Sequence, residues 1–326
     1  MRKLASIRQI SEIRSIPNAD NLELAIIDGW QAVVKKGEYK PGDTVIYCEI
    51  DSFLPVRPEY EFLRNSCYRK LSDGKEGFRI KTIKLRGQIS QGLVLPTGGL
   101  ERYLGVGDDV TAELGITHYD AQTEGSLPGF IPSTTLERIQ NINSQLPDLI
   151  HRSWTITEKL DGISFTAYWY KDTFGICSKK SASIDSGLDT YFRAIINEYK
   201  LENSLKGTNL AIQGEIVGPG IRKNKYGLDK RELYVFNVFN IKAQGYLNPV
   251  DAQDVADSLG LKFVPVISSN LVFPETTKLD YILSLAEDKS MLNSKTEREG
   301  LVLVSDDIYS RISFKVISNK FLLKSE

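Results

Sequence analysis

Residue types that build many common active sites are scarce in this 326-residue chain. The two histidines, His118 and His151, poorly supply a histidine-based zinc site or a Ser-His-Asp triad. The three cysteines, Cys48, Cys67 and Cys177, are odd in number and far apart. They indicate neither a disulfide framework nor a cysteine-rich metal site, and they predict a reducing setting inside the cell.

Long apolar runs and an excess of charge of one sign are also absent. No run approaches the ~20 residues of a membrane span, and the start MRKLASIRQISEIR lacks the apolar core of a signal peptide. Lysine and arginine number 41 against 42 acidic residues, so no global basicity indicates nucleic acid, although a neutral total can hide local basic grooves. We therefore expect a soluble, cytoplasmic protein with no membrane partner.

Short strands separated by glycine and proline turns characterise the first ~110 residues. NLELAIIDGWQAVV alternates on both sides of Asp28-Gly29, which predicts a hairpin, and KPGDTVIYCEID begins another strand. This pattern predicts an OB-like β-barrel over residues 1–112. The stretch GFRIKTIKLRG contains four basic residues at short intervals: Arg79, Lys81, Lys84 and Arg86. They are either a solvated barrel face or a groove that follows a nucleic-acid backbone.

A second domain is predicted after a linker. Residues 113–130 are rich in glycine, proline, serine and aspartate and lack a sustained period, so they read as the linker. The stretch TTLERIQNINSQL then predicts a short helix capped by Thr134 or Thr135. Strands and helices mix beyond it, and residues 131–326 are therefore predicted to form a mixed or antiparallel sheet domain. The predicted fold class is α+β.

The stretch TITEKLDGISFTAYWY places Lys159 and Asp161 just before a glycine. Apolar or small residues then alternate with polar ones from Ile163 to Trp169, which is strand periodicity. The amine and the carboxylate are therefore predicted to lie in a turn or bulge that leads into a strand. Such a tripeptide alone is most often a surface turn, so the rest of the chain has to decide its significance.

Later stretches repeat the theme of a charged or aromatic residue on or beside an apolar strand. They are NLAIQGEIVGPGI, ELYVFNVFNI, EREGLVLVS and RISFKVISNKF. Each one alone is ordinary: a solvated glutamate, a core aromatic pair, a charge at a strand end. The residues that stand out in them, in chain order, are Glu215, Phe236, Phe239, Glu299, Lys315 and Lys320.

Their joint order resembles the motif set of the covalent nucleotidyltransferases, the superfamily of polynucleotide ligases and mRNA capping enzymes. EKLDG resembles the nucleophile motif, VFN the aromatic motif, REGLVL the glutamate motif and SFKVISNKF the final lysine motif. GEIVGPGI is similar to a stretch of RNA ligases. An OB-like module precedes the similar region, residues 130–326, instead of following it. The chain thus resembles ATP-dependent RNA ligases with an amino-terminal OB domain.

This resemblance implies a reaction and the residues that perform it. Lys159 attacks the α-phosphate of ATP to form lysyl-AMP, Asp161 orients the nucleophile or the 3′-OH, and Lys315 neutralises the α-phosphate. Glu215 and Glu299 hold Mg²⁺ or Mn²⁺, directly or through its water shell. The set expected to bind the nucleotide is Lys159, Lys179, Glu215, Phe236, Glu299, Lys315 and Lys320.

Some positions depart from the family pattern. Lys179 stands where related ligases often have an arginine, and lysine lacks the bidentate fork of that residue. Ile317 stands where a second lysine is typical, with Lys320 as the candidate substitute. Phe236 is expected to stack on adenine and Phe239 is the alternate. The two rings are expected on opposite faces of the strand, so both cannot stack.

The expected partner is RNA, as a nicked duplex, a broken RNA or an RNA–DNA hybrid, and the expected state is a monomer. The candidates for contacts with the RNA backbone are Lys179, Lys180, Arg222, Lys223 and Lys225. Three alternatives stay open: a DNA ligase, a capping-type GTP transferase, and a non-catalytic OB-type binder with a degenerate transferase domain. The missing carboxy-terminal OB domain disfavours the first two, and the intact set of charged residues disfavours the third.

Overall fold

A computed structural model describes most of the chain. The described ranges are 3–17, 19–71, 74–98, 100, 105–119, 128–178, 186–307 and 310–325. The chain divides into two compact units, one of Met1–Gln122 with Leu322–Glu326, and the other of Thr123–Phe321. The domain bounds predicted above stay a prediction. Within the described ranges, no helix is long and apolar enough to cross a membrane.

The first unit is built mainly of short strands. These are β1 (Ala5–Gln9), β2 (Glu12–Ser15), β3 (Leu22–Ile27), β4 (Trp30–Lys35), β5 (Thr44–Cys48), β6 (Ser52–Pro55), β7 (Tyr68–Lys70), β8 (Glu76–Arg79), β9 (Ile83–Leu85), β10 (Gln88–Ser90), β11 (Leu93–Pro96) and β12 (Thr117–His118). A 3-10 helix, Pro58–Leu63, runs into the single helical turn α1 (Arg64–Cys67). The strand orders are β1-β5-β11, β2-β3-β4, β9-β10 and β12-β6-β8-β7.

The predicted hairpin is confirmed in this unit. Ile27 pairs with Trp30, and the two residues between them, Asp28 and Gly29, have φ values of 48° and 81°. Positive φ at both central positions is the geometry that matches the twist of a two-residue hairpin. Trp30 is buried beside Tyr47, with ring centroids 6.1 Å apart, so the hairpin closes against the adjoining sheet.

The second unit contains the longer elements. Its strands are β13 (Glu137–Arg138), β14 (Ser153–Lys159), β15 (Ile163–Tyr170), β16 (Thr173–Cys177), β17 (Leu210–Val217), β18 (Glu232–Asn240), β19 (Gly245–Tyr246), β20 (Lys262–Phe263), β21 (Val266–Val272), β22 (Gly300–Ser305) and β23 (Ser313–Ile317). Its helices are α2 (Leu146–Leu149), α3 (Ser186–Glu198), α4 (Leu201–Leu205), α5 (Pro249–Ser258), α6 (Leu279–Ser284) and α7 (Asn319–Ser325), which continues past Phe321.

Two sheets organise these elements. Sheet I has the order β13-β23-β22-β14-β21, and sheet II has the order β16-β15-β17-β18-β19, with β20 parallel to β18. Apart from β13 and β20, the pairs are antiparallel. Mixed helices and mainly antiparallel sheets agree with the predicted α+β class.

One face of each sheet is packed against helices. On sheet II, Phe165, Ala167 and Trp169 of β15 enter a core with helices α3 to α5, as their alternation predicts. Burying each large apolar side chain stabilises the fold by about 1.5–3 kcal/mol. On sheet I, Trp154 and Phe314 pack edge to face, 5.1 Å apart, in a separate core. The other two faces carry the charged and polar residues considered below.

The short helix predicted near residue 134 begins later than expected. A 3-10 helix spans Ile139–Gln145, and its N-cap is Arg138 without a side-chain capping hydrogen bond. Thr134 and Thr135 precede it in a segment without regular secondary structure. The reason is tertiary: β13 uses this part of the chain to pair with β23, which competes with helix formation.

Candidate active site

Lys159 lies at the end of a strand in sheet I, and three residues connect it to the first strand of the chain in sheet II. It is the last residue of β14 in sheet I, and β15 in sheet II begins at Ile163. Gly162 permits the crossing because a Cβ there would overlap the carbonyl oxygen of Ile216 on β17. The predicted turn is therefore a tight sheet-to-sheet connection with the lysine at its mouth.

Lys159 forms an ion pair with Glu299. Its Nζ donates a hydrogen bond to Glu299 Oε1 at 2.7 Å, and the two side chains are 27% and 16% exposed. The contact follows from strand register, because Lys159 lies opposite Gly300 and Glu299 immediately precedes Gly300. A partly buried pair of this kind is screened less by salt than a surface pair.

The charges around Lys159 decide its protonation state. Burial by itself lowers the pKa of the Lys159 ammonium, but the nearby carboxylates of Glu299, Glu215 and Asp161 together raise it by more, so the net pKa is raised. An attacking amine has to be neutral, which the raised pKa opposes. The side chain is thus held as an ammonium ion while these carboxylates face it, and attack requires that their charge be neutralised.

Two side chains fix the turn between the sheets. Glu215 Oε1 accepts a hydrogen bond from the Gly162 backbone N–H at 3.0 Å, and the Tyr226 hydroxyl accepts one from the Asp161 backbone N–H at 2.7 Å. Tyr226 is buried, so the turn rests on a rigid support. Tyr226 was not predicted as a site residue, and its only local signal is a tyrosine at the end of the basic loop RKNKY.

Asp161 faces two cations. Lys225 Nζ lies 3.1 Å from Asp161 Oδ2, and Arg222 Nε lies 3.3 Å from Asp161 Oδ1. Both cations come from the basic loop that the sequence analysis assigned to the RNA backbone. Their immediate partner is thus the carboxylate two residues beyond Lys159.

The loop that carries these cations is conformationally strained. Arg222, Lys223 and Asn224 have φ values of 45°, 56° and 47°. A left-handed conformation costs a non-glycine residue about 1–2 kcal/mol, so the surroundings have to enforce it. The Asn224 side chain does so by donating to the Leu228 carbonyl oxygen and accepting from the Leu228 N–H.

Lys315 shares a face of sheet I with Lys159. Lys315 lies opposite Val302, and Val302 lies opposite Thr157, two residues before Lys159. Two strand spacings separate β14 from β23, roughly 10 Å. Arg138 on β13 is in register with Lys315 and is buried, and it was not among the predicted site residues. This face is opposite the one packed around Trp154.

The aromatic strand is irregular, which changes the prediction about its two rings. Gln213 pairs with Asn237 while Gly214 pairs with Val235, so Phe236 is an extra residue in a bulge. Strict alternation is therefore broken, and the expectation that Phe236 and Phe239 lie on opposite faces of a regular strand is wrong.

The two rings also differ in their surroundings. Phe239 is buried and packs edge to face against Tyr246, with ring centroids 5.0 Å apart. Phe236 is partly buried in a cluster with Leu160 and Tyr226, next to the Lys159 turn. The accessible ring beside the candidate site is thus Phe236.

The remaining predicted residues lie at the margins of the site. Lys179 and Lys180 fall outside the described residues. Lys320 is the second residue of α7 and is exposed, and its backbone N–H donates to Glu287 Oε2. Among the described residues, its ammonium group has no ion pair. Ile317, which stands where a second lysine is typical, is buried opposite Gly300, so this side chain contributes to packing.

A divalent cation fits the donors present. Glu299 Oε2 is buried and has no hydrogen-bond partner among the described residues, although its other oxygen binds Lys159. A buried carboxylate oxygen without a donor is costly unless something else satisfies it, and hard cations prefer such oxygens. Within the described part of the chain, no group of three or more His, Cys, Asp or Glu side chains converges.

Comparison with known proteins agrees with this geometry. An OB-fold domain model matches residues 4–97, and an RNA ligase model matches residues 152–317. Naegleria gruberi RNA ligase solved with PPi is 35% identical, with 99% of this chain and 98% of that chain covered and a TM-score of 0.87. A mutant of that ligase solved with AMP and Mn is 34% identical, with coverages of 100% and 99% and a TM-score of 0.88.

A third structure, a mutant of the same ligase with ATP and Mn, is 33% identical over 99% of both chains, with a TM-score of 0.87. No curated protein sequence matches the chain. Identity above 30% over nearly the full length, together with the two domain matches, establishes the family. The chain belongs to the RNA ligase family, with an amino-terminal OB-fold domain followed by an RNA ligase domain.

Proposed function

We propose that this chain is an ATP-dependent RNA ligase that joins a 3′-OH end to a 5′-phosphate end. It acts through lysyl-AMP on Lys159 and then through an AMP-capped 5′ end. The observation that carries the proposal is the convergence of Lys159, Glu299 and Glu215 beside one crossing between two sheets, with Lys315 on the same face of sheet I as Lys159. A degenerate transferase domain would not retain this convergence.

In the first step, the neutral Lys159 amine attacks the α-phosphorus of ATP. A nitrogen–phosphorus bond forms, the bond from the α-phosphorus to the β-phosphate oxygen breaks, and pyrophosphate leaves. The amine first has to lose a proton, and its hydrogen-bond acceptor at 2.7 Å, Glu299 Oε1, is the nearest site for it. Lys315, on the same face of sheet I, neutralises the charge that builds on the α-phosphate.

Glu299 and Glu215 are the residues that would hold a divalent cation, Mg²⁺ or Mn²⁺. The unpartnered Oε2 of Glu299 supports this role. When bound, the cation supplies positive charge that offsets the phosphate oxygens and the two carboxylates. Neutralising those carboxylates removes the main cause of the raised pKa of Lys159, so an amine forms more readily.

Phe236 stacks on the adenine base, because it is partly buried beside Leu160 while Phe239 is already packed within the core. Asp161 positions the reacting hydroxyl in the final step. Lys320 and Lys179 are proposed as further contacts to the nucleotide, and Lys180, Arg222, Lys223 and Lys225 as contacts to the RNA.

In the second step, an oxygen of the RNA 5′-phosphate attacks the α-phosphorus of lysyl-AMP. A pyrophosphate linkage forms, the nitrogen–phosphorus bond breaks, and Lys159 leaves as the neutral amine after its nitrogen takes up a proton from solvent. In the third step, the 3′-OH attacks the 5′-phosphorus, a phosphodiester forms, and AMP leaves with the proton returned to solvent. We propose that the natural substrate is a nicked duplex or a broken RNA, and that the protein acts as a monomer in the cytoplasm. The three free, buried cysteines agree with a reducing compartment.

The test is incubation with α-labelled ATP and Mg²⁺ or Mn²⁺, followed by a denaturing gel. We expect label to remain on the wild-type chain and to be lost from Lys159→Ala, with labelled GTP giving no adduct. Lys206→Ala removes an exposed lysine and is the matched control. A folded wild-type protein that carries no pre-bound AMP and forms no adduct with either metal contradicts the proposal.

A further inference from the structure

A basic turn lies directly on the carboxylate that follows the nucleophile. Arg222 Nε is 3.3 Å from one oxygen of Asp161, and Lys225 Nζ is 3.1 Å from the other. Two positive charges therefore share one negative charge. The excess of positive charge beside the reactive centre attracts a further anion.

The two cations are held in different ways. The Lys225 side chain is 14% exposed, and its ammonium lies 4.2 Å from the Phe321 ring centroid and 5.2 Å from the Tyr226 ring centroid. Asn293 fixes the backbone by donating to the Lys225 carbonyl oxygen. The Arg222 side chain is 64% exposed. One cation is thus fixed in the site, whereas the other reaches into solvent, where it can meet an incoming ligand.

The turn that carries these two cations has a strained backbone. Arg222, Lys223 and Asn224 all have positive φ, in a turn of the 3-10 type. Arg222 and Lys225 face the same way, because both side chains contact the carboxylate of Asp161. Strain of this kind persists only where the surrounding contacts enforce it, and it is common where a ligand binds.

We propose that Arg222 and Lys225 form a binding site for a phosphate group of the substrate, and that Asp161 is the internal counter-ion which that phosphate displaces. The inference rests on the proposed function and deepens it. A terminal phosphate carries a charge of about −1.5 to −2 near pH 7, so it competes well with a single carboxylate for two cations. The displaced Asp161 then turns to the 3′-OH.

Two phosphate groups meet this description. Pyrophosphate leaves the α-phosphorus in the first step, and the RNA 5′-phosphate attacks that phosphorus in the second. The two groups occupy the same side of the α-phosphorus, opposite Lys159, in an in-line displacement. The shared chemistry is a phosphate oxyanion, and binding experiments separate its two sources.

Asp161 and Lys225 have opposite effects in this arrangement, and the test uses that. Lys225→Gln removes a cation and is expected to weaken phosphate binding about tenfold, whereas Asp161→Asn removes the competing anion and is expected to strengthen it by about the same factor. If the ion pair only stabilised the fold, both substitutions would weaken binding. Lys230→Gln is the matched control, since this exposed lysine pairs with Glu198 instead.

The first arm compares binding of a nicked RNA duplex with a 5′-phosphate or a 5′-OH at the nick, by fluorescence anisotropy without ATP. We expect the preference for the 5′-phosphate to collapse in Lys225→Gln and to grow in Asp161→Asn. The second arm measures pyrophosphate binding by calorimetry. If pyrophosphate affinity falls in Lys225→Gln and rises in Asp161→Asn while the preference for the RNA 5′-phosphate is unchanged, the phosphate site is supported. It is then assigned to the pyrophosphate of ATP.

No shift in either arm, or shifts of the same sign in both variants, overturns the inference. Arg222→Gln, which alters a mostly exposed side chain, repeats both arms if Lys225→Gln fails to fold. The labelled-ATP adduct is measured separately. Its absence from the wild type would overturn the proposed function, while the binding ratios test the phosphate site independently.

Discussion

The Lys159 ammonium donates a hydrogen bond to Glu299 across 140 positions of sequence, at 2.7 Å. The two residues meet because β14 and β22 are antiparallel neighbours with Lys159 opposite Gly300. This pair ties the protonation state of the proposed nucleophile to the charge of a carboxylate that is also proposed to hold a cation. The ion pair and the buried charges around it have consequences that can be measured.

Replacing the partner is expected to lower the pKa of Lys159. The carboxylates of Glu299 and Glu215 raise this pKa against the effect of burial, so Glu299→Gln removes the larger of the two charge effects. In metal-free buffer, Lys159 should react with an amine-directed acylating reagent at lower pH in the variant than in the wild type, as followed by peptide mass spectrometry. Glu297→Gln is the matched control because Glu297 pairs with Lys289. Equal pH profiles for Glu299→Gln and the wild type would refute the coupling.

Removing the charge of Glu158 is expected to change how stability depends on pH. Burial raises the pKa of Glu158, against smaller lowering effects from Ser290, Met291 and Arg298. An acid with a raised folded-state pKa binds more protons folded than unfolded, so the free energy of unfolding falls as pH rises from about 4.5 through the folded-state pKa. Glu158→Gln lacks this loss.

Urea unfolding between pH 4 and 8 measures the difference. The stability of Glu158→Gln relative to the wild type should increase with pH, whereas exposed Glu202→Gln should track the wild type throughout. A constant difference between Glu158→Gln and the wild type over this range would show that Glu158 stays charged in the fold.

The crossing turn is expected not to tolerate a side chain at Gly162. An added Cβ would overlap the Ile216 carbonyl oxygen, which belongs to a sheet backbone and cannot move locally. Gly162→Ala should therefore destabilise the protein by about 2 kcal/mol or more and reduce adduct formation with labelled ATP at least tenfold. Gly245→Ala, where a Cβ meets nothing within 4 Å, should leave both properties near wild type. Near-normal adduct formation by Gly162→Ala would mean that the turn adapts.

Replacing each of the two phenylalanines of β18 is expected to have a different effect: one substitution weakens ATP binding, and the other destabilises the fold. Phe236→Ala should raise the KM for ATP about tenfold with a small loss of stability, because stacking on a base contributes about 1–3 kcal/mol. Phe239→Ala should cost about 3–5 kcal/mol of stability, since its ring is buried against Tyr246. Thermal unfolding and initial rates against ATP concentration distinguish the two. If Phe239→Ala raised the KM for ATP more than Phe236→Ala did, Phe239 would be the residue that stacks on adenine.

Local patterns in the sequence were sufficient for several features. The alternation from Ile163 to Trp169 correctly predicted one core-facing row in β15, because a strand repeats every two residues. The dipeptide Asp28-Gly29 correctly predicted a hairpin, since its φ values are a local property. The ordered motifs correctly indicated the RNA ligase family, because each keeps its chemistry within a few residues.

Other features depended on contacts between distant segments. Tyr226 supports Asp161 across 65 positions, and Asn293 fixes Lys225 across 68, and neither pair has a local signature. The bulge at Phe236 and the strand that replaced the start of a predicted helix near Arg138 also arose from pairing with partners elsewhere.

The sequence by itself thus determined the strands, the turns and the order of the chemical groups, because these depend on steric and hydrophobic preferences within a few residues. Tertiary structure decided the partners of the charges: Glu299 for Lys159, and Lys225 with Arg222 for Asp161. The physical reason is that electrostatic energies vary steeply with distance and burial, and strand register sets both only once the sheets have formed.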